Sequence, residues 1–252
     1  WQPMLYHFVL SAWYLLLNYS ITGTLIAQAL LGAANCMLIA RLARKGFGSR
    51  AGIVAGLLGA LCGPLLYYEA ILAPTVYVEI LSTIILISLW DDEQATPVRT
   101  VGTGVCAAWA TLLQPALFTA SVGGFLSLRV RSLWTKATRA SAVVSLAAFA
   151  LGFALVAAPA AFMTYRAIGW ATIFPTSAGL NLYLAHNENM DLTMAIRPGP
   201  DYERMVARAE DAGAIGVAEQ NRYFRRQACT FARKHPLRSE EHTSELQSLR
   251  TI

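Results

Sequence analysis

The sequence predicts an all-α, polytopic membrane protein with about six membrane helices, one pair short and proline-broken, and a small extracytoplasmic domain. Three observations lead there. Of 252 residues, 56% are hydrophobic and only 14% are charged, where about a quarter of a soluble domain's residues carry charge. Several apolar stretches run for about 18 residues or more with few charges, enough to cross the hydrocarbon of a bilayer. The basic residues between the spans gather in two segments, 41–50 and 129–139, as they do in cytoplasmic loops. A soluble domain of this composition would expose large apolar patches and is excluded.

The ends come first because they bound the rest. Trp1-Gln2-Pro3 has no basic stretch ahead of an apolar one, so no signal peptide is visible, and the chain reads as lacking its natural beginning. At the other end, Arg238 to Ser248 matches the in-frame translation of a common sequencing adapter, so 238–252 reads as an artefact outside the fold. Without 239–252, Lys and Arg fall from 20 to 19 (Arg250) and Asp and Glu from 15 to 12 (Glu240, Glu241, Glu245). The formal charge rises from +5 to +7.

Residues 1–20 mix aromatics with Gln2, His7 and Asn18, which suits an interfacial or re-entrant segment. The transmembrane domain then occupies 21–163. Its first span, 22–40, carries no charge. Gln28 and Asn35 lie seven apart on one face, which should point into the bundle. A basic loop with Arg41, Arg44, Lys45 and Arg50 follows. Residues 51–90 read as a membrane hairpin whose tip is a polar turn, Tyr67-Tyr68-Glu69, bracketed by Pro64 and Pro74. On its first arm, Gly52, Gly56, Gly59 and Gly63 are spaced to let another backbone come close.

Residues 100–128 are too long for one span and short for two, and Gln114-Pro115 sits near their middle. The two basic segments, both cytoplasmic by charge, require this stretch to enter and leave on one side, hence a hairpin of two short helices. It is the only broken helix the sequence shows. A last span, 140–162, leads outward to an extracytoplasmic domain, 164–237. There 176–189 reads as irregular or extended, and Arg197-Pro198-Gly199-Pro200 as a turn. Asp201 caps a helix to about Ala212. Gly213 and Gly216 break it, and an amphipathic helix follows from Val217 to His235, stopped by Pro236.

Few residues here carry chemistry. Apart from Glu79, Glu69 is the only acid in the apolar array before Asp91-Asp92-Glu93, and an ionisable group like it at the hydrocarbon edge is a functional candidate by default. An interfacial loop with tyrosines at headgroup depth explains Tyr67-Tyr68-Glu69 equally well. The Asp91 cluster resembles a metal-holding acidic motif, but it follows a span that charge directs to the cytoplasm and reads as a solvated loop. Arg222, Arg225, Arg226 and Arg233 share one helix face, facing a donor phosphate or anionic headgroups. The cysteines Cys36, Cys62, Cys106 and Cys229 show no CxxC spacing. No disulfide framework, metal site or cofactor is identifiable from them.

The order of features resembles a family. The opening Gln2-Pro3-Met4-Leu5-Tyr6, the Gln28-to-Ala33 span, the basic loop and Pro64-Leu65-Leu66-Tyr67-Tyr68-Glu69 come in turn, then Gln114-Pro115 and Gly179 to Asn187. Together they resemble integral-membrane C-type glycosyltransferases of the protein O-mannosyltransferase and aminoarabinose-transferase kind, over about 1–237. The resemblance implies an enzyme of the cell membrane that moves a sugar from a polyprenyl-phosphate donor to a lipid or protein acceptor outside the cytoplasm, with no nucleic-acid partner. It implies a catalytic acid upstream of Trp1, support from Glu69, and substrate contacts from Tyr67, Tyr68, Gln114, Asn181, Tyr183, His186 and Asn187. The chain departs from the family at Ala73-Pro74-Thr75, where an acid is usual, and at Gln114 and Met163, where Arg is. It departs again at Ala185-His186-Asn187, where the family's loop motif ends Gly-Asn-Asn. A non-catalytic membrane protein or transporter whose polar turn lines a substrate pathway is the alternative; transporters tend to carry paired broken helices.

Overall fold

The computed structural model describes residues 4–90, 96–133, 136–188, 193 and 199–235. Every regular element among them is helical. The helices are α1 (Met4–Leu16), α2 (Ile21–Phe47), α3 (Ser49–Ala60), α4 (Gly63–Glu69), α5 (Thr75–Trp90), α6 (Pro97–Leu113), α7 (Leu117–Leu133), α8 (Lys136–Ile168), α9 (Ala178–Ala185), α10 (Pro200–Asp211) and α11 (Val217–Lys234). The chain forms two compact units, 1–160 and 161–252. The acidic cluster at 91–93, Arg197-Pro198 and the tail 238–252 lie outside the described residues.

In the first unit α2 is the axis. Ser20 caps it by accepting from the Gly23 N–H at 3.0 Å. Its helix runs on to Phe47, so Arg41, Arg44 and Lys45 extend its last turns and are not in a loop. Only Gly48 separates it from α3. At φ 91° that residue occupies a region L side chains rarely enter, and glycine there makes the abrupt reversal possible. The two helices then pack antiparallel through glycine. A Cβ at Gly52 would meet Arg44 and Ala40, one at Gly56 would meet Ala40, and Gly59 lies against Cys36 and Ile39, while Gly63 faces open space. Three of the four spaced glycines therefore serve the close approach their pattern predicts.

The predicted 51–90 hairpin has a different tip. A break at Leu61-Cys62 bends α3 from α4 by 53°, with Pro64 in the first turn of α4, where its missing N–H leaves no bond unmade. Tyr67, Tyr68 and Glu69 form the last turn of α4, and the chain reverses over 70–74 instead. From there α5 returns beside α2, ending with Trp90 packed on Gly46. The α2–α3 reversal at Gly48 and the end of α5 thus share one end of this unit, and the α4–α5 connection lies toward the other.

Helices α6 and α7 separate where Gln114 takes an extended conformation, φ −142° and ψ 100°. The break falls at the predicted dipeptide. Their shared core is Ile85, Ala107, Ala110, Phe125 and Phe149, with Phe125 stacked on Phe149 of α8 at 4.2 Å. Where α6 and α8 cross, Gly104 lies on the Phe149 carbonyl and Gly152 on the Val101 carbonyl, leaving no room for a side chain on either. Among the described residues two helices, Ile21–Phe47 and the Ala140–Ile168 stretch of α8, are long and apolar enough to cross a membrane, and the bent α3–α4 pair is a broken span or a re-entrant loop. The apolar parts of α1, α5 and α7 are shorter than a span. Two long apolar helices, or three with the bent pair taken as one span, are therefore present among the described residues.

The second unit is a small helical cluster. Leu180, Met205, Ala209, Ala214 and Phe224 form its core, with Tyr183, Leu184, Tyr202 and Tyr223 against them. Residues 178–185 are helical rather than extended. Isolated, eight residues make a marginal helix; α9 is held by packing on α11, with Gly179 donating its N–H to the buried Asn221 side chain. The cap of α10 is Gly199 followed by Pro200, not Asp201, which sits in the first turn and pairs with Arg204 at 2.6 Å. Gly213 and Gly216, both at positive φ, separate α10 from α11 as predicted.

Candidate functional site

The polar residues of α2 set the site. Thr24, Gln28, Gly32 and Asn35 are buried along one face, at spacings that bring them into line on a helix. The inward direction predicted for Gln28 and Asn35 is the one observed. Thr24 returns its hydroxyl to the Ser20 carbonyl at 3.0 Å. Gln28, fully buried, donates from Nε2 to the Ile71 carbonyl at 2.9 Å. That bond fixes the amide's orientation and leaves Oε1 without a hydrogen-bond partner among the described residues; Asn35 Oδ1 is in the same position.

Against this face comes Glu69. Its carboxyl sits directly on the Cα of Gly32, where any Cβ would collide with it. Gly32 lies between Gln28 and Asn35, so the carboxylate enters a surface already rich in acceptors. Glu79 of α5, half-buried, is within electrostatic range of Glu69, and Cys36 feels both. Tyr6 of α1 is fully buried beside Tyr77, ring centroids 6.1 Å apart, and packs with Val76 and Leu113. Its hydroxyl also lacks a partner among the described residues. Tyr6 entered the sequence reading only as part of the Gln2-to-Tyr6 opening and Tyr77 not at all; the one available signal was polar aromatic residues inside apolar helices.

The other predicted residues distribute as follows. Tyr67 and Tyr68 turn outward, 62% and 41% exposed, their rings edge-on at 5.3 Å. Gln114 is exposed at the C-terminus of α6. Its neighbour Leu113 packs on Val76 and Tyr77, which open α5 a few residues beyond Glu69. In the second unit, Tyr183 lies on Phe224 at 5.2 Å. Asn187, buried, closes the end of α9 by donating Nδ2 to the Tyr183 carbonyl at 2.7 Å and to Thr193 Oγ1 at 2.8 Å. His186 Nδ1 faces the Leu182 carbonyl at 3.2 Å, and Asn181 is exposed. Tyr183 and Asn187 are therefore engaged in holding α9, while Asn181 presents its side chain outward.

The arrangement sets one carboxyl group on the helix face that carries two amide oxygens, with a second carboxyl within electrostatic range. That suits a ligand bearing several hydroxyl donors. No group of three or more His, Cys, Asp or Glu able to hold a metal ion occurs among the described residues. Comparison with protein-family models, curated proteins and solved structures finds no match to this chain.

Proposed function

We propose that this chain is part of an integral-membrane glycosyltransferase of the C-type, moving a sugar from a polyprenyl-phosphate donor to a lipid or protein acceptor on the extracytoplasmic side. In this reading about six helices lie in the cell membrane, the basic segments face the cytoplasm, and the second unit is outside. The catalytic acid is supplied upstream of Trp1, and Glu69 is a positioning residue. The order of short motifs from Gln2 to Asn187 supports the reading. The observation that carries it is the Glu69 carboxyl set on Gly32 between the open acceptors of Gln28 and Asn35. An unpaired polar atom away from water costs several kcal/mol in lipid, so such a tract is retained where a hydroxyl-rich ligand completes it.

The test is Glu69→Gln in the complete open reading frame that carries this chain, assayed for sugar transfer in proteoliposomes. The amide keeps the volume and removes the charge. Transfer should fall about 100-fold with normal membrane insertion. A rate within about threefold of the parent, under ~1 kcal/mol in the barrier, would overturn the role of Glu69.

One observation favours a second reading, a transporter. The sequence shows one broken helix, but the described residues hold two, at Leu61-Cys62 and at Gln114, and paired broken helices line carrier sites. Uptake of a labelled sugar by proteoliposomes lacking any acceptor would decide for the carrier.

A further inference from the structure

The outward face of α11 is a stripe of arginine. At 100° per residue, Arg222, Arg225, Arg226, Cys229 and Arg233 fall within an arc of about 100°, and all five are exposed. The stripe stands opposite the buried line of Asn221, Phe224, Ala228 and Phe231. Glu219 is the one acid of α11, against Arg222, Arg225, Arg226, Arg233 and Lys234. It reaches Arg222 at 3.9 Å, both side chains more than half exposed, and such a pair neutralises little. Helix α10 differs: Asp201, Glu203, Glu210 and Asp211 share it with Arg204 and Arg208, so it presents no single-sign face.

Chain connection limits what the stripe meets. The apolar stretch of α8 ends at Ile168, and α9 opens at Ala178, a link that spans at most about 30 Å fully extended. Trp170 and Phe174, just past α8, are exposed, in keeping with aromatics at headgroup depth. The second unit is thus tethered at a bilayer surface with a run of guanidinium groups on one side. We propose that the Arg222–Arg233 face of α11 docks on the anionic phospholipid headgroups of that surface. Arginine suits the role, since its planar fork pairs bidentately with phosphate. This proposal stands apart from the glycosyltransferase reading and concerns binding alone.

Cys229, exposed at the centre of the stripe, is a built-in reporter. With Cys36, Cys62 and Cys106 changed to alanine, the protein is reconstituted in nanodiscs of phosphatidylcholine alone or with phosphatidylglycerol. An uncharged, water-soluble maleimide then labels Cys229. At low salt, the rate in anionic discs should fall about fivefold or more and recover near 0.5 M salt, where screening is roughly complete beyond a few ångströms. Arg225→Gln with Arg226→Gln should abolish the protection. A control, Glu203→Cys in a Cys229→Ala background, should label equally in both lipids. Equal Cys229 rates in the two discs would overturn the proposal. So would protection that survives the double substitution, or protection of equal size at the Glu203 position.

Discussion

Between α2 and α3, a Cβ added at Gly52 or Gly56 would come within 2.9 Å of Arg44 or Ala40; between α9 and α11, Leu180, Tyr183 and Phe224 fill the contact. The first unit turns Ile53, Leu57, Leu58 and Leu61 outward and buries Thr24, Gln28 and Asn35. The second exposes its arginines and glutamates and buries aromatic rings. In lipid, burying leucine against leucine gains nothing over leucine against an acyl chain, so helices associate through backbone approach and shared hydrogen bonds. In water, apolar burial supplies the driving force. The contrast teaches that the two parts of one chain hold their helices together by different means, and that equal substitutions should not have equal effects.

The largest expected effect lies in the second unit. Phe224→Ala removes a ring that is 3% exposed and should destabilise that unit by about 3–5 kcal/mol. Proteolysis of the reconstituted protein should then cut within 178–235 while α2 and α3 survive. Survival of the second unit with an unchanged digestion midpoint would break the comparison.

Smaller, and opposite in logic, is the effect of adding one methyl in lipid. Gly152→Ala places a Cβ on the Val101 carbonyl and should cost about 1–3 kcal/mol in a denaturing-detergent titration. Gly102→Ala, with nothing within 4 Å, should be neutral or stabilising by up to about 1 kcal/mol. Equal responses from the two would mean that backbone approach is not what joins α6 to α8.

The smallest effect sharpens the polar side of the contrast. Gln28→Leu deletes the bond to the Ile71 carbonyl along with an amide oxygen that has no partner among the described residues. The lost bond should cost about 0.6 kcal/mol, and at most about 1.7. Removal of the unpartnered oxygen offsets it, so the net loss in the same titration should not exceed that range. A loss several times larger would show that Gln28 organises the α4–α5 connection well beyond one hydrogen bond.

By itself the sequence determined the helical class, the apolar stretches and some of the breaks between helices. Unbroken apolar runs, Gln114-Pro115, and the glycines at 213 and 216 act through nearest neighbours, so they can be read locally. The inward face of α2 was legible for the same reason: Gln28 and Asn35 are costly toward lipid, and their spacing admits one common side. Tertiary structure alone decided the rest. Tyr67-Tyr68-Glu69 has turn-like composition, yet it closes a helix because the chain reverses later, at 70–74, with Gln28 bonded to Ile71. That Glu69 turns inward while both tyrosines turn out depends on Gly32, 37 residues away in sequence. Residues 178–185 carry no strong helix signal and become helical because Asn221 and Phe224 lie against them. The α6–α8 crossing at Gly104 and Gly152 was invisible for the same physical cause: a lone glycine in a helix reads as a weak spot until its partner backbone is known.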